Sequence, residues 1–458
     1  MMFKFRLRTH LIVSVFLSII TSLNLSVSAQ TDITLKAGIS KKEITPTVHV
    51  KNWVTGKPYT HLNDSLYVKT LVFYDGRIKS AIVTVDLVDA GESLTHEIRS
   101  VISKTIDVPY HHILVNASHT HSAPWAPVYS EGFRGKERDT WWAIRYMPAQ
   151  NEDPHFSAWM KKILKQAAST AQEANANLQP VSIWISKTDV SEFMNNRRPV
   201  KPAWGISEQK TPKGYNYTHA EWDPDILTGG NSFGPIDRTM TLLSFKNSAG
   251  KNLATLFHTA IHSVAIYPFS QEISGDWPGD ASRKIEKLLG GEALFLQGAA
   301  GDINPARRGR EAVDHMTTKL AKKAENAIRF SSKIECDSLI INRGVVGLPL
   351  DEKGKQRTGL EAVNAEVQVI AVGPVAFVTL PGEPLTDLGE RIRQTSPFPY
   401  TLVLGYANGN GVHYVGLPED MPHGGYEMEL GTVGTSESGV MLTELANRLL
   451  QQTMKEKN

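Results

Sequence analysis

Two histidine clusters follow apolar segments of the chain, where α/β proteins often place ligands and catalytic groups. His119 and His121 come after the strand-like residues 113–117. In an extended chain alternate side chains point the same way, so one imidazole can bind a metal while the other supports it or carries a proton. His258 and His262 follow a second apolar segment. We favour His262 because it lies nearer the predicted strand end, and we interpret His258 as a core histidine.

Three further segments carry groups suited to chemistry. Glu383 follows an apolar segment and a Pro-Gly pair, where its carboxylate could bind a metal or cap a helix predicted to begin at Pro384. Residues 297–305 are rich in small residues, which can aim backbone N–H groups at a developing negative charge or simply form a tight exit from a strand. Tyr414 follows the Gly/Asn-rich residues 406–411, and its spacing alone would not select it as a ligand.

The elements that must position these groups are read from apolar periodicity. Predicted strands cover residues 66–74, 80–87, 112–117, 181–185, 239–245, 254–260, 293–297, 340–346, 366–372, 375–380 and 401–406. Predicted helices cover residues 94–105, 156–176, 280–289, 312–328, 385–393 and 437–452. Strands and helices alternate along the chain, which indicates an α/β protein whose strand ends build the pocket.

Two long segments do not fit this alternation. Residues 123–153 are rich in aromatic side chains and charge, and residues 195–233 are rich in Gly, Pro, Tyr and Asn. The aromatic residues of the first segment include Trp125, Trp141, Trp142 and Tyr146. Loops this long in a compact domain usually belong to a binding site. For either loop alone, an exposed surface loop without a role in binding is an equally weighted alternative.

The first residues of the chain predict export. A basic start with Lys4, Arg6 and Arg8 is followed by an apolar core at residues 11–20 and by small residues at 26–29. These three features are typical of a cleaved signal peptide, which we place at residues 1–29. A membrane anchor is less favoured, because polar residues interrupt the apolar run before it reaches the ~20 residues that span a bilayer. We therefore expect a secreted or periplasmic protein without a transmembrane segment after cleavage.

Composition excludes several other classes. The 49 Lys and Arg residues nearly balance the 47 Asp and Glu residues, which argues against nucleic-acid binding and general attraction to anionic membranes. Cys336 is the single cysteine, so no intrachain disulfide can form. The fold must depend on burial, and a chain of 458 residues can bury a large core.

The order of the motifs resembles the neutral (non-lysosomal) ceramidase family. His-Thr-His-Ser begins at His119, a later His262 lies in an apolar run, Gly-Asp-x-x-Pro begins at Gly301, Pro-Gly-Glu ends at Glu383, and His-Tyr ends at Tyr414. The resemblance runs in order over nearly all of residues 30–458. It implies a single layered α/β domain in which two central mixed sheets are flanked by helices (αββα-like).

The resemblance also implies the site. The family holds one Zn²⁺ with two His, one Glu and one Tyr, which correspond here to His119, His262, Glu383 and Tyr414. Two His and one Glu are also a common ligand set of catalytic zinc. The second histidine of His-Thr-His-Ser, His121, is a catalytic neighbour in the family. The Asn-Arg segment of the family corresponds to residues 196–197, which implies that Arg197 contacts substrate.

Three departures from the family pattern are visible. Asn304 stands where ceramidases carry a serine implicated in catalysis, so acyl transfer to that side chain is excluded, although the amide can still donate to an oxyanion. Ala123-Pro124-Trp125 replaces the usual Gly-Pro-Gly and adds an indole. The chain ends soon after the catalytic domain, so we expect no C-terminal immunoglobulin-like domain.

These observations predict a zinc-dependent hydrolase in which activated water attacks an amide carbonyl, Asn304 steadies the oxyanion and His121 moves a proton. The substrate implied by the resemblance is an N-acyl sphingosine or a related lipid amide. A polar or carbohydrate-derived substrate is one alternative, suggested by Trp125, Trp141 and Trp142. A non-catalytic binding protein that kept the metal site is the other alternative.

Overall fold

Apolar segments of the chain form two mixed β-sheets in the computed structural model, which describes residues 35–53, 55–129, 152–198, 234–267, 271–336 and 338–457. The strands are β1 (Lys36–Glu43), β2 (Tyr67–Tyr74), β3 (Lys79–Val85), β4 (Ile113–Ala117), β5 (Gln179–Asp189), β6 (Met194–Asn196), β7 (Thr239–Asn247), β8 (Asn252–Thr259), β9 (Glu292–Gln297), β10 (Ile303–Pro305), β11 (Ser332–Ile334), β12 (Leu339–Pro349), β13 (Ala362–Val372), β14 (Val375–Thr379), β15 (Glu383–Pro384), β16 (Tyr400–Leu404) and β17 (Tyr414–Val415). The helices are α1 (Glu92–Ile106), α2 (Pro154–Ala176), α3 (Asp276–Leu289), α4 (Arg310–Arg329), α5 (Glu352–Thr358), α6 (Thr386–Thr395) and α7 (Ser438–Lys457).

The larger sheet has the strand order β4-β3-β2-β1-β5-β7-β8-β9, with β11 paired to β5, and the smaller sheet has the order β12-β13-β14-β16. The pairs β3–β4, β8–β9 and β14–β16 are parallel, whereas the other neighbours within these two sheets are antiparallel. A parallel pair needs a crossover connection. Helices α1, α3 and α6 supply the three crossovers, so the carboxyl ends of β4, β8, β14 and β16 are followed by loops that can build a site.

Side chains that alternate along the strands pack into two separate hydrophobic cores. In β2, Leu71 and Phe73 pack between the two sheets, whereas Val68 and Val72 pack on the opposite face with the helices. Helices α1 to α4 cover the larger sheet, and α6 and α7 cover the smaller one. The layers are therefore helix, sheet, sheet and helix, which confirms the predicted α/β fold with two central mixed sheets. Thr34–Asn458 form one compact unit.

The sequence signals for individual elements are mostly local. Helix α2 begins at Pro154, and the Asp153 carboxylate accepts hydrogen bonds from the backbone N–H of His155 and Phe156 at 2.7 and 3.4 Å. Strand β1 and the short strands β6, β10, β11, β15 and β17 were not predicted, because pieces of two or three residues carry no period and β1 mixes polar with apolar residues. Among the described residues, no helix is long and apolar enough to cross a membrane.

A close approach between β1 and α2 predicts a large effect for one glycine. A Cβ on Gly38 would overlap with the carbonyl oxygen of Ala174 in the helix. Gly38→Ala should therefore lower the free energy of unfolding by about 1–3 kcal/mol, the usual cost of overpacking. Gly347→Ala is the control, because the nearest atom to its Cβ would lie at an ordinary 4.0 Å. Urea denaturation of both variants tests this, and equal stabilities would contradict it.

Candidate functional site

His119 lies two residues beyond β4 and is held in a single orientation. Its backbone has a φ of 62°, a left-handed conformation that is rare outside glycine. Its Nδ1 lies 2.5 Å from the carbonyl oxygen of Val88. A carbonyl only accepts, so Nδ1 carries a hydrogen and Nε2 is the ring nitrogen that can bind a metal. The prediction that His119 and His121 share a face of an extended strand is wrong, because β4 has already ended and a turn follows it.

The turn nevertheless brings the two imidazoles together. The Nε2 atoms of His121 and His119 are 3.1 Å apart. The ring of His121 also contacts the rings of Trp53 and Tyr267, with centroids 5.6 and 5.1 Å away. Burial first, and the neighbouring histidines second, hold the pKa of His121 well below its usual value. His121 is therefore neutral.

His262 is oriented like His119. Its Nδ1 donates to the carbonyl oxygen of Ala300 at 2.6 Å, so the lone pair of the neutral ring lies on Nε2. This Nε2 is buried and makes no hydrogen bond of proper geometry, although Glu383 Oε2 is 3.1 Å away. Burial, followed by the charge of Arg197, lowers the pKa of His262 to about 3. An orphaned, neutral nitrogen of this kind is suited to binding a cation.

Glu383 brings a carboxylate to the same point. Its Oε2 lies 3.1 Å from His262 Nε2 and 3.4 Å from His119 Nε2. The hydroxyl of Tyr406 also donates to this oxygen at 3.3 Å, and the Tyr406 ring lies tilted against the His119 ring with centroids 4.1 Å apart. Burial alone would raise the pKa of Glu383, but its contacts with His119, His262 and His413 outweigh burial and hold the pKa well below the usual value. The carboxylate is therefore ionised.

The donor set matches a divalent cation. The ligand nitrogens of His119, His121 and His262 all lie within 4.8 Å of one another, and the Glu383 carboxylate adjoins two of them. Two or three imidazole nitrogens with one carboxylate oxygen is a set that zinc accepts. Nδ1 atoms fixed by backbone carbonyls are also the usual outer support of metal-bound histidines.

Strand β15 corrects the predicted role of Glu383 in capping. Glu383–Pro384 do not begin a helix but pair in parallel with Tyr414–Val415, and α6 begins at Thr386. The carboxylate that meets the first residue of this helix is Asp302, whose Oδ1 accepts from both the backbone N–H and the hydroxyl of Thr386 at 2.9 and 2.8 Å. Pro384 ends the short strand instead of starting the helix.

Arg197 is the centre of a buried polar network beside this cluster. Its Nε donates to Glu427 at 2.6 Å and its Nη1 donates to the Asn304 side-chain oxygen at 3.0 Å. Its Nη2 donates to the Gly301 carbonyl at 2.8 Å and to the Tyr414 hydroxyl at 3.0 Å. Arg197 is only 5% exposed, and its hydrogen bonds orient Asn304 and Tyr414. Contact of Arg197 with substrate, and metal binding by Tyr414, stay predictions.

The pairing of β6 with β10 sets this geometry. Asn304 lies opposite Asn195, and the backbone N–H of Arg197 donates to the carbonyl of Asp302 at 2.8 Å. Because Arg197 Nη1 takes the oxygen of the Asn304 amide, the amide nitrogen is the end that can donate elsewhere. The predicted role of Asn304 as a donor to a substrate oxyanion stays a prediction.

Asp302 makes the stability of this region depend on pH. Burial raises its pKa to about 6 from 3.8, although Arg198 and the hydrogen bonds of Thr386 and Asn196 oppose the change. Because the pKa of Asp302 is higher in the folded than in the unfolded state, Asp302 contributes to the free energy of unfolding at low pH. This stabilisation is fully present below about pH 4 and is lost as the pH rises through about 6. Relative to the wild type, Asp302→Asn should therefore become less destabilising over that range. Denaturation of both proteins between about pH 4 and pH 7 tests this, and a difference that grows with pH would contradict it.

Two aromatic residues next to His121 were not predicted as site residues. Trp53 lies 4.8 Å from Trp125 and 6.1 Å from Tyr267, measured between ring centroids. Trp125 itself is buried in a small apolar cluster with Val88, so it supports Trp53 instead of facing a ligand. Three further aromatic residues of that loop, most of the second loop and the predicted signal peptide lie outside the described residues; these are Trp141, Trp142, Tyr146, residues 199–233 and residues 1–29.

His413, Tyr406 and Glu427 are further site residues that sequence reasoning missed. His413 and Tyr406 contact Glu383, and Glu427 pairs with Arg197. Their one sequence signal was the Gly/Asn-rich context, which permits left-handed backbone: φ is 53° at Tyr406 and 67° at His413. His258, in contrast, is buried with its Nε2 3.0 Å from the Val403 carbonyl oxygen, as expected of a core histidine.

Comparison with known proteins assigns the family. The sequence profile described as neutral/alkaline non-lysosomal ceramidase, N-terminal, matches residues 57–329. Neutral ceramidase from Pseudomonas aeruginosa has a similar structure, with a TM-score of 0.68 at 16% identity over 92% of this chain and 75% of that chain. A ceramidase complexed with C2 gives a TM-score of 0.68 at 15% identity, covering 93% of this chain and 76% of its own. The search of curated proteins gives no match. The profile spans more than half of the sequence, and the chain therefore belongs to the neutral/alkaline non-lysosomal ceramidase family.

Proposed function

We propose that this protein is an exported, zinc-dependent amidohydrolase that cleaves an N-acyl sphingoid or a related lipid amide. The observation that carries the proposal is the convergence of His119, His262 and Glu383, which come from three separate strand ends. Family membership and a fold shared with a ceramidase complexed with C2 support the substrate class. The basic, apolar and small-residue segments at residues 1–29 support export.

His119 and His262 would hold the zinc through Nε2 and Glu383 through Oε2, with Tyr414 as the fourth ligand that family resemblance supports. Zinc in such a site would lower the pKa of water toward neutrality and polarise the scissile carbonyl. The two imidazoles match this task, because the carbonyls of Val88 and Ala300 hold both Nδ1 atoms and leave both Nε2 atoms directed at one point.

The other residues of the site have distinct tasks. The Asn304 amide nitrogen, oriented by Arg197, donates a hydrogen bond to the oxygen on which negative charge develops. His121 is placed to take a proton and pass it to the leaving amine, because its ring adjoins His119 and lies at the less buried side of the cluster. Trp53 and Tyr267 pack on the His121 ring and restrict how it moves.

A polar or carbohydrate-derived substrate is the second candidate. The aromatic rings of Trp53 and Tyr267 beside His121 favour it, because such rings beside polar groups are a common way to hold sugars. A substrate panel separates the two candidates.

The test is hydrolysis of N-acyl sphingosines, N-acyl amino acids and acylated sugars, with and without a chelator. We expect release of fatty acid from N-acyl sphingosine, its loss on chelation and its recovery with added zinc. Turnover of acylated sugars alone would replace the proposed substrate with the second candidate. No turnover of any compound by zinc-loaded protein would favour a binding protein and contradict the proposal.

A further inference from the structure

The two oxygens of Glu383 face different imidazoles. Oε2 lies 3.1 Å from His262 Nε2 and 3.4 Å from His119 Nε2, at the cation cluster. Oε1 lies 3.2 Å from Nε2 of His413. A carboxylate can present one oxygen or both to a metal, and the partner of the second oxygen decides which. His413 is a candidate for that partner.

His413 is itself held from two sides. Its Nδ1 lies 2.7 Å from the carbonyl oxygen of Gly431 and its Nε2 lies 3.2 Å from Glu383 Oε1, so each ring nitrogen faces an acceptor oxygen. Its own carbonyl accepts from the backbone N–H of Glu383 at 2.8 Å. An added Cβ on Gly431 would overlap with the ring of Tyr414, so the loop that supplies the Gly431 carbonyl is closely packed on this segment.

The backbone of His413 is in a costly conformation. Its φ of 67° is left-handed, which non-glycine residues adopt mainly where the surrounding structure requires it. Gly382, immediately before Glu383, has a φ of 76°, and a Cβ there would overlap with the His413 carbonyl oxygen. The left-handed backbone of His413 and the close approach of Gly382 to its carbonyl fix the position of His413 relative to Glu383.

We propose that His413 is a positioning residue that directs a single oxygen of Glu383 at the cation cluster and thereby raises the affinity of the site for a divalent metal. This inference rests on the metal-binding part of the proposed function. It adds a residue that determines metal affinity without binding the metal, because His413 acts through Glu383.

Two substitutions separate the contacts of His413. In His413→Gln the amide nitrogen can reach the position of Nε2, so the contact with Glu383 is kept and the contact with Gly431 is lost. In His413→Asn the shorter amide occupies the position of Nδ1, so the contact with Gly431 is kept and the contact with Glu383 is lost. Asn also tolerates left-handed backbone better than Gln.

The experiment is a chelator-competition titration of Zn²⁺ into the full-length wild type and both variants, with a thermal melt of each metal-free protein. We expect zinc affinity close to wild type for His413→Gln and affinity about 10–100-fold weaker for His413→Asn. A merely structural role predicts the reverse order, because Asn suits the backbone better. If the wild type binds zinc and His413→Asn binds it with equal affinity, the inference alone is overturned. If the wild type binds no zinc, both the inference and the proposed function are overturned.

Discussion

A Glu383→Gln variant is expected to lose most of its bound zinc and to hydrolyse the best amide substrate at least about 1,000-fold more slowly, a loss at the upper end of that seen when one transition-state stabilising group is removed. The carboxylate is buried and ionised, and its Oε2 adjoins the Nε2 atoms of His119 and His262. A neutral amide supplies a weaker ligand and can turn its NH₂ group toward the cation. Both effects reduce metal affinity without changing the shape of the side chain.

Zinc stoichiometry of the purified protein and kcat/KM for an N-acyl substrate check this expectation. The matched control is Glu366→Gln, which breaks the ion pair with Arg99 at 2.8 Å in a different part of the fold. The control should lose stability but keep its zinc and its activity. His119→Ala should behave like Glu383→Gln, and unchanged zinc content in both variants would defeat the assignment of the metal site.

Arg197→Met is expected to lower stability by about 3–5 kcal/mol, the usual cost of removing one partner from a buried ion pair. Glu427 is only 2% exposed and would keep the Arg198 guanidinium, 3.5 Å away, as its nearest charge partner. Activity should fall as well, by about 100-fold to 1,000-fold, because Asn304 loses the donor that orients its amide.

A double substitution separates these two effects. Arg197→Met combined with Glu427→Gln removes the uncompensated charge, so stability should partly return while kcat stays low. Asn304→Ala should lower kcat by a similar factor, and adding it to Arg197→Met should cost little more, because both changes remove the same donor. Full loss of activity in Arg197→Met together with normal activity in Asn304→Ala would show that Arg197 acts by another route.

Prediction from sequence succeeded where the signal is local. The apolar runs that became β2, β4, β7, β9 and β14 and the periodic segment of α2 lie close to their predicted bounds. Placing His119, His262 and Glu383 after strands was sufficient to expect them near one another, because parallel strands share a carboxyl edge. Tertiary structure adds a further step, because a bridge between Asn116 in β4 and Ala407 in the loop after β16 brings the edges of the two sheets together.

The partners of the site residues were beyond sequence reasoning. His119 and His262 are oriented by the backbone carbonyls of Val88 and Ala300. Any residue offers a carbonyl, so neither partner leaves a signature in the sequence. Arg197 was expected to contact substrate, but whether its guanidinium faces a ligand or a buried carboxylate depends on the position of Glu427, 230 residues later.

By itself the sequence determined the fold class, the strand ends that carry reactive groups and, through ordered motifs, the family. These follow from short-range periodicity and residue type, which act within a few residues. Only the tertiary structure decided that Glu383 has one oxygen at the histidine cluster and the other at His413, that Arg197 is buried and that Asp302 meets the start of α6. Those contacts depend on sheet order and strand register, which sum many weak interactions along the whole chain and are therefore not encoded in any one segment.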